Sequence, residues 1–256
     1  MGNRALFAVT LILFLAAWEA AVRVFGVAEV VLPTPSAIGR ALWNLLAIGT
    51  LPKHLGVTLA EILAGFVLGA LAGIALGALI AMSTILRRIL YPYIIILQVV
   101  PKVAVAPLFI IWLGFGIESK VLMAVLISFF PLLVNTIAGL QNVQPEYLDL
   151  MSAVKARRWE TFRYVRFPSA LPYIFAGLEA AIVLSVIGAI VGEFVGASVG
   201  LGYLIMLYHT NLNIPAVFAV LVVLSAVGLL LHAAVVYCRR RIVFWVGEDQ
   251  TSFTGA

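Results

Sequence analysis

The sequence predicts an all-α integral membrane protein with about six transmembrane helices. Of its 256 residues, 64% are hydrophobic and only 11% are charged, whereas about 25% of a soluble domain is charged. The mean hydropathy is +1.17, and the apolar residues fall into runs close to the ~20 residues that a helix needs to cross a bilayer. Because no soluble domain is available to carry a basic face, the pI of about 9.6 indicates contact with lipid headgroups rather than with nucleic acid.

The apolar runs predict one transmembrane domain over residues 1–256, with spans at about 5–25, 58–82, 89–114, 120–140, 173–196 and 216–237. The first run follows a charged residue but contains no A-x-A cleavage site, so we expect an uncleaved helix. Glu19 and Arg23 are four residues apart within it and are expected to pair. Between the first two spans, a stretch that begins with two prolines and has Ser36 as N-cap candidate predicts a short interfacial helix.

The second and third spans have different sequence features. The second carries glycines at every fourth position, Gly65, Gly69, Gly73 and Gly77, which predicts a flat stripe against which another helix packs. The third contains Pro92, Pro101 and Pro107, which we expect to interrupt it. Broken helices are tolerated at membrane depth only against protein or water. Lys102, inside this span, is therefore either a pathway residue or a residue that snorkels to the interface or caps broken backbone carbonyls.

The cationic residues predict the orientation. Eleven of them lie on one side if there are six spans: Arg4, Arg87, Arg88, Lys155, Arg157, Arg158, Arg163, Arg166, Arg239, Arg240 and Arg241. Three lie on the other: Arg40, Lys53 and Lys120. The positive-inside rule then places both termini in the cytoplasm of a multi-pass protein of the inner (plasma) membrane.

The sequence contains no recognisable catalytic or cofactor motif. The histidines have no partner at metal-ligand spacing, and there is no H-E-x-x-H, Walker A or G-x-S-x-G pattern. Three acidic residues are predicted to lie deep in the membrane: Glu61, Glu179 and Glu193. Each occupies a separate region of the sequence, and no sequence spacing pairs them. We therefore expect no catalytic residue, no metal and no cofactor, and any nucleotide hydrolysis must come from another chain.

The longest polar segment is the predicted cytoplasmic loop 141–172, which we call the coupling segment. It carries five of the sixteen Lys and Arg residues. Residues 149–162 have a partial helical spacing of apolar side chains, which predicts one helix of about four turns. Pro168 and Pro172 are expected to break the chain twice before the fifth span begins. The pattern indicates either a docking helix or an amphipathic helix that lies on anionic lipid.

The coupling segment resembles the "EAA" loop in the membrane subunits of bacterial binding-protein-dependent ABC importers. That pattern has Glu-Ala-Ala, a glycine four residues after its last alanine, and a downstream Ile-x-Leu-Pro. The matching positions here are 149–151, with the sequence Asp-Leu-Met, then Lys155, then 165–168, with the sequence Val-Arg-Phe-Pro. The departures leave open whether the ATPase partner is an adapted one.

The resemblance covers nearly the whole chain. LPTPSAIGRAL, GFVLGALAGIALGALI, PKVAVAPLFIIWLGFG, SFFPLLVNTIAGL and IGAIVGEFVGASVGLGYLI are similar to the branch that imports sulfonates, taurine, nitrate and pyrimidine-type vitamin precursors. It implies a type I importer permease, present as two copies, that binds two cytoplasmic ATPase subunits and an extracytoplasmic solute-binding protein. The implied ATPase-docking residues are Asp149, Leu150, Met151, Ala153, Val154, Lys155, Ala156, Arg158, Trp159, Phe162 and Pro168.

Four polar residues within the spans are candidates for the translocation pathway: Gln98, Lys102, Asn135 and Glu193. For Glu193, a helix-end acid bonded to neighbouring backbone is an equally good interpretation. A lysine suits an anionic solute, and PKVAVAPL and VGEFVGAS are slightly more similar to the vitamin-precursor members. An ion-coupled secondary transporter and an intramembrane enzyme are the alternatives, but no inverted repeat and no nucleophile–base pair supports them.

Overall fold

The computed structural model describes residues 3–245, and within this range the chain is helical, as predicted, with no strand. The two chain ends, for which the sequence predicts a cytoplasmic location, lie outside the described residues. The helices are α1 (Asn3–Val24), α2 (Pro35–Ala47), α3 (Thr50–Met82), α4 (Thr84–Val99), α5 (Ala106–Leu113), α6 (Ile117–Gln141), α7 (Pro145–Ala153), α8 (Arg158–Thr161), α9 (Phe167–Gly196), α10 (Leu201–Thr210) and α11 (Ile214–Ile242).

Five described helices are long and apolar enough to cross a membrane: Ala5–Val24, Thr50–Met82, Ile117–Gln141, Arg158–Gly196 and Ile214–Ile242. Helix α4 and the stretch Lys102–Leu113 meet the same test when they are taken together. If they form one broken span, the chain has a sixth crossing. The predicted number of about six is confirmed on that count.

The break in the third span is confined to one place. The chain turns by 83° between α4 and the stretch Lys102–Leu113, which opens with a 3₁₀ turn. Val100, with ψ 128°, is held out of the helical region because a proline follows it. The other two prolines do not interrupt a helix, contrary to the prediction. Pro92 lies inside α4, and Pro107 lies in the first turn of α5, where no amide hydrogen is required.

The described chain forms two compact units, one made of residues 3–59 and 197–227 and the other of residues 60–196 and 228–245. In the first unit, α2 begins after Thr34, whose hydroxyl accepts a hydrogen bond from the Ala37 amide at 3.2 Å. The predicted N-cap, Ser36, is wrong by two residues because Pro35 occupies the first helical position. The Ser36 amide and hydroxyl instead donate to Glu19 at 3.0 and 2.8 Å, and Glu19 also forms the predicted ion pair with Arg23.

A second set of contacts in the first unit fixes the start of α10. The Gly200 amide donates to Nδ1 of His54 at 3.0 Å, and the Leu201 amide donates to the Thr58 hydroxyl at 2.7 Å. The His54 ring stacks on Tyr203, with the ring centroids 5.8 Å apart. Gly200 has φ 131°, which favours glycine. These side chains satisfy amide groups that a helix start leaves without partners.

In the second unit, α6 is packed between α3 and α9. The predicted glycine stripe is confirmed, because Gly65, Gly69, Gly73 and Gly77 all lie against α6 in steps of one turn. The α9 side is equally close: a Cβ added at Gly188 would lie 2.6 Å from the Cα of Ala124. Small residues on both flanking helices therefore bring backbones into contact along α6. This packing places the first turn of α6 deep in the unit, where its polar side chains need partners.

Candidate functional site

The coupling segment is two short helices rather than the single helix predicted over residues 149–162. Helix α7 ends at Ala153, and Lys155 follows with φ 53°. The Ala156 amide donates to the Met151 carbonyl at 2.9 Å and the Lys155 amide to the Ser152 carbonyl at 3.0 Å. This is the Schellman pattern of a helix C-terminus, in which the left-handed position is usually a glycine.

Lys155 therefore has the conformation that a glycine would supply at the same position. A left-handed backbone costs a residue with a side chain about 1–2 kcal/mol. Its side chain is exposed. The structure thus keeps the sharp turn between α7 and α8 although the sequence has replaced the glycine of the pattern that it resembles.

After α8 the chain enters a wide π turn, Phe162–Arg166, and then α9. The predicted breaks at Pro168 and Pro172 are wrong, since both prolines lie within α9. The Phe167 amide bonds to the Phe162 carbonyl, five residues back. We attribute the accommodation of Pro168 to this wider turn, because a proline ring in a regular helix clashes with the carbonyl four residues before it, and for Pro168 that carbonyl lies within the π turn.

Three exposed apolar side chains form what we call the coupling face: Leu150, Val154 and Trp159. Their exposed fractions are 60%, 64% and 63%, although the segment around them is polar. Two tyrosines that sequence reasoning missed, Tyr147 and Tyr164, are also exposed. An exposed apolar set on a polar segment indicates a surface that another protein or a membrane covers.

The other predicted docking residues fall into two groups. Exposed ones are Asp149, Ala153, Lys155 and Arg158, and half-buried ones are Met151, Ala156, Phe162 and Pro168. Phe162 stacks beneath Trp159 with 5.5 Å between ring centroids and packs against the cluster formed by Leu140, Ala170 and Ile174. Phe162 thus fixes the coupling segment to the helix bundle and supports Trp159 from below.

The pathway candidates are placed as follows. The Lys102 ammonium donates to the carbonyl of Gln98 at 3.0 Å and lies 4.9 Å from the Phe130 ring centroid. It therefore caps the end of α4, while the Gln98 side chain is exposed. Asn135 donates to the Pro131 carbonyl at 2.8 Å within α6. Glu193 is buried, with an exposed fraction of 1%. Of the four candidates, the structure brings Lys102 and Gln98 into contact.

Glu193 belongs to a buried charge cluster that sequence reasoning missed. It shares a side-chain hydrogen bond with Glu61, and both carboxyl groups lie near the Lys120 ammonium. The exposed fractions of Glu61 and Lys120 are 2% each. A hydrogen bond between two carboxyl groups requires one proton. With that proton, the two acids and the lysine are neutral as a set, which is what burial of charged groups demands.

Lys120 also holds three backbone carbonyl groups. Its ammonium donates to Phe115, to Gly116 at 2.9 Å and to Gly196 at 2.7 Å. These contacts join the loop before α6 to the end of α9. Lys120, which the sequence analysis counts among the three cations on the opposite side of the membrane, is therefore a buried and hydrogen-bonded charge. A signal for the cluster was available in the sequence. If the spans alternate in direction, Glu61 at the start of the second span, Lys120 at the start of the fourth and Glu193 near the end of the fifth all lie on the same side of the membrane.

Five to six apolar helices of membrane-spanning length, with an exposed coupling segment, define a multi-pass membrane protein. Residues 65–244 match the family described as "Binding-protein-dependent transport system inner membrane component", and the chain belongs to this family. It is the permease subunit of an ABC importer for a small solute, located in the inner membrane, and the comparisons favour this function over an ion-coupled transporter.

Two relatives and one solved structure illustrate the match. The chain is 38% identical over 237 residues to the riboflavin transport system permease protein RibX of Chloroflexus aurantiacus, covering 93% of this chain and 88% of that one. It is 36% identical over 228 residues to the formylaminopyrimidine transport permease protein ThiX of Halalkalibacterium halodurans, covering 89% and 90%. A chain of the MetNI methionine ABC transporter in an inward-facing conformation has the same fold, with TM-score 0.64, 19% identity, and 82% and 98% coverage.

Proposed function

We propose that this permease acts as a homodimer in which each copy binds one cytoplasmic ATPase subunit through the coupling segment. An extracytoplasmic binding protein delivers the solute, and ATP is hydrolysed on the partner. The observation that carries the docking proposal is the coupling face, three large apolar side chains that are each at least 60% exposed. Such side chains are what a groove on a partner protein covers, and aromatic anchors among them dominate binding energy.

We propose one transmembrane domain with the coupling loop over 141–172 and both termini in the cytoplasm. The burial of Lys120 supports this orientation, because it removes one cation from the smaller group. Eleven cationic residues then oppose Arg40 and Lys53 alone. The positive-inside rule is read from loop charges, not buried ones, so the asymmetry becomes larger.

The proposed solute is a small heteroaromatic compound. Two relatives that match about nine-tenths of this chain are named for the transport of riboflavin and formylaminopyrimidine, which both contain nitrogen heterocycles. Lys102, Gln98, Asn135 and Glu193 remain proposed pathway residues. For Lys102 an anionic group on the solute would compete with the Gln98 carbonyl for the ammonium.

The docking proposal is tested by co-purification of the ATPase with the full-length permease. The double substitution Val154→Asp/Trp159→Ala removes one apolar contact, adds a charge and removes the aromatic anchor. We expect ATPase binding to weaken by roughly 30-fold or more, as for loss of an interface hot spot. Trp43→Ala is the matched control, since Trp43 is 72% exposed on α2, outside the coupling segment. Equal ATPase recovery with both variants would refute docking through this face.

The pathway proposal is tested by Lys102→Ala in reconstituted vesicles with the cognate binding protein. We expect uptake to fall while the complex still assembles, and normal uptake would remove Lys102 from the pathway. Ligand identification on the purified binding protein tests the solute class. Recovery of a non-aromatic solute would refute the heteroaromatic proposal and leave the docking proposal untouched.

A further inference from the structure

A cavity of about 590 Å³ lies in the second unit, next to the root of the coupling segment. The first turns of α4 and the last two turns of α6 form its walls. Arg87, Arg88 and Tyr91 contribute from α4, and Gln141 and Asn142 contribute from the end of α6. Asn142 precedes the first residue of α7 by only three positions, so the cavity and the coupling segment lie at the same end of the unit.

The polar part of the lining consists of hydrogen-bond donors and positive charge, and no acidic residue of the described range 3–245 lines the cavity. Within residues 3–245, no carboxylate pairs with either Arg87 or Arg88. The Gln141 amide nitrogen is buried and has no hydrogen-bond partner. Two unpaired guanidinium groups and an unused amide donor together favour an anion, and guanidinium groups match phosphate oxygens in geometry.

The surroundings of the cavity distinguish a lipid from a soluble anion. Pro92 and Ile137 contribute apolar surface to its wall. Beyond the cavity, α4 exposes Ile89, Tyr93 and Ile96, with exposed fractions of 56%, 61% and 60%. A soluble anion would not contact these exposed side chains, whereas the acyl chains of a phospholipid would cover them. Basic cavities between helices at the cytoplasmic side are the type of site that binds anionic headgroups.

We propose that this cavity binds the phosphate of an anionic phospholipid, with the acyl chains lying along α4. The headgroup would neutralise Arg87 and Arg88 and give the Gln141 amide its missing acceptor. Since Gln141 and Asn142 lie directly before α7, the bound lipid would also fix the root of the coupling segment. The site is independent of ATPase docking, and it requires neither the coupling face nor the solute pathway.

The experiment titrates the full-length purified permease with phosphatidylglycerol or phosphatidylcholine and counts bound lipids by native mass spectrometry. We expect the wild type to prefer phosphatidylglycerol. The double variant Arg87→Gln/Arg88→Gln should weaken that binding by about 30-fold, from about fivefold for each basic residue lost. Arg87→Lys/Arg88→Lys should restore most of it, because lysine also binds phosphate as a point charge.

The matched control is Arg163→Gln/Arg241→Gln, which removes two exposed cations that each lie over a tyrosine ring. This control should keep wild-type selectivity. If the Arg87 and Arg88 double variant does not elute as a single species, Arg88→Gln alone provides the test, with about a fivefold loss expected.

Any one of three results would overturn the proposal. The first is equal binding of both lipids by the wild type, and the second is a loss of selectivity in the control as large as in the cavity variant. The third is complete displacement of phosphatidylglycerol by millimolar inorganic phosphate, which would assign the cavity to a free anion. Retention of the lipid in that arm, with loss only in the cavity variants, supports the lipid site.

Discussion

Removal of the Lys120 ammonium tests whether the buried charge cluster holds the second unit together. Lys120→Met keeps an unbranched side chain, shorter by the terminal nitrogen, but deletes the charge and all three hydrogen bonds to Phe115, Gly116 and Gly196. Glu61 and Glu193 would then lie buried without a countercharge. Removing one partner of a buried ion pair costs about 3–5 kcal/mol, and carbonyl groups left without donors add to this cost.

The assay is thermal unfolding of the purified permease in detergent, followed by loss of the monodisperse elution peak. A cost of about 3–5 kcal/mol corresponds to a fall in the transition temperature of roughly 10 °C for a chain of this size. Lys53→Met is the matched control, because Lys53 is exposed. That control should move the transition little, as expected for a surface substitution.

A triple variant separates the charge from the packing. Lys120→Met combined with Glu61→Gln and Glu193→Gln removes the uncompensated acids together with the lysine. We expect it to be more stable than Lys120→Met alone, because the charged groups are coupled and their effects do not add. A triple variant that is less stable by the sum of its parts, or a Lys120→Met protein as stable as Lys53→Met, would refute the argument.

Three further substitutions test local features, each by the same unfolding assay. Lys155→Gly should stabilise the protein by about 0.5–1 kcal/mol, because relief of the left-handed strain exceeds the extra chain entropy of glycine; no gain would contradict the strain. Gly73→Ala should destabilise by about 1–3 kcal/mol, since a Cβ there would meet an α6 backbone oxygen at 2.9 Å. The matched Gly228→Ala, with nothing within 4 Å, should be neutral or stabilising, and the opposite order would contradict the close packing. His54→Phe retains a ring to stack on Tyr203 but leaves the Gly200 amide without its acceptor, so a loss of about 1–3 kcal/mol is expected; an unchanged transition would contradict the cap.

Local patterns in the sequence predicted the features that depend on composition and spacing. Hydropathy predicted the apolar helices, and the four-residue glycine repeat in α3 predicted its contact with α6. The lysine at position 155 hid a left-handed turn, because a non-glycine residue gives no sign of positive φ. The partial helical spacing of apolar side chains predicted one continuous helix over residues 149–162, whereas the backbone hydrogen bonds that close α7 divide the stretch into two helices.

The buried cluster was missed because its three members are far apart in the sequence. Glu61, Lys120 and Glu193 belong to three different helices, and no spacing rule connects residues on separate spans. Each charge also had an acceptable local explanation near a helix end. The predicted alternation of the spans places all three groups on one side of the membrane, but the contact between them depends on the packing of α6 between two glycine-bearing helices, which is a property of the folded chain.

The corner between α4 and the 3₁₀ turn limits what can surround this chain in a membrane. From Arg88 to Val99 the helix rises about 17 Å, more than half of the ~30 Å hydrocarbon thickness. Val99 is 79% exposed, and Val100 and Pro101 are out of helical geometry. Peptide groups that have left a helix at this depth cannot face acyl chains, which offer them no hydrogen bonds. Lipid therefore solvates the straight helices, but the corner needs a neighbouring polypeptide or a column of water beside it.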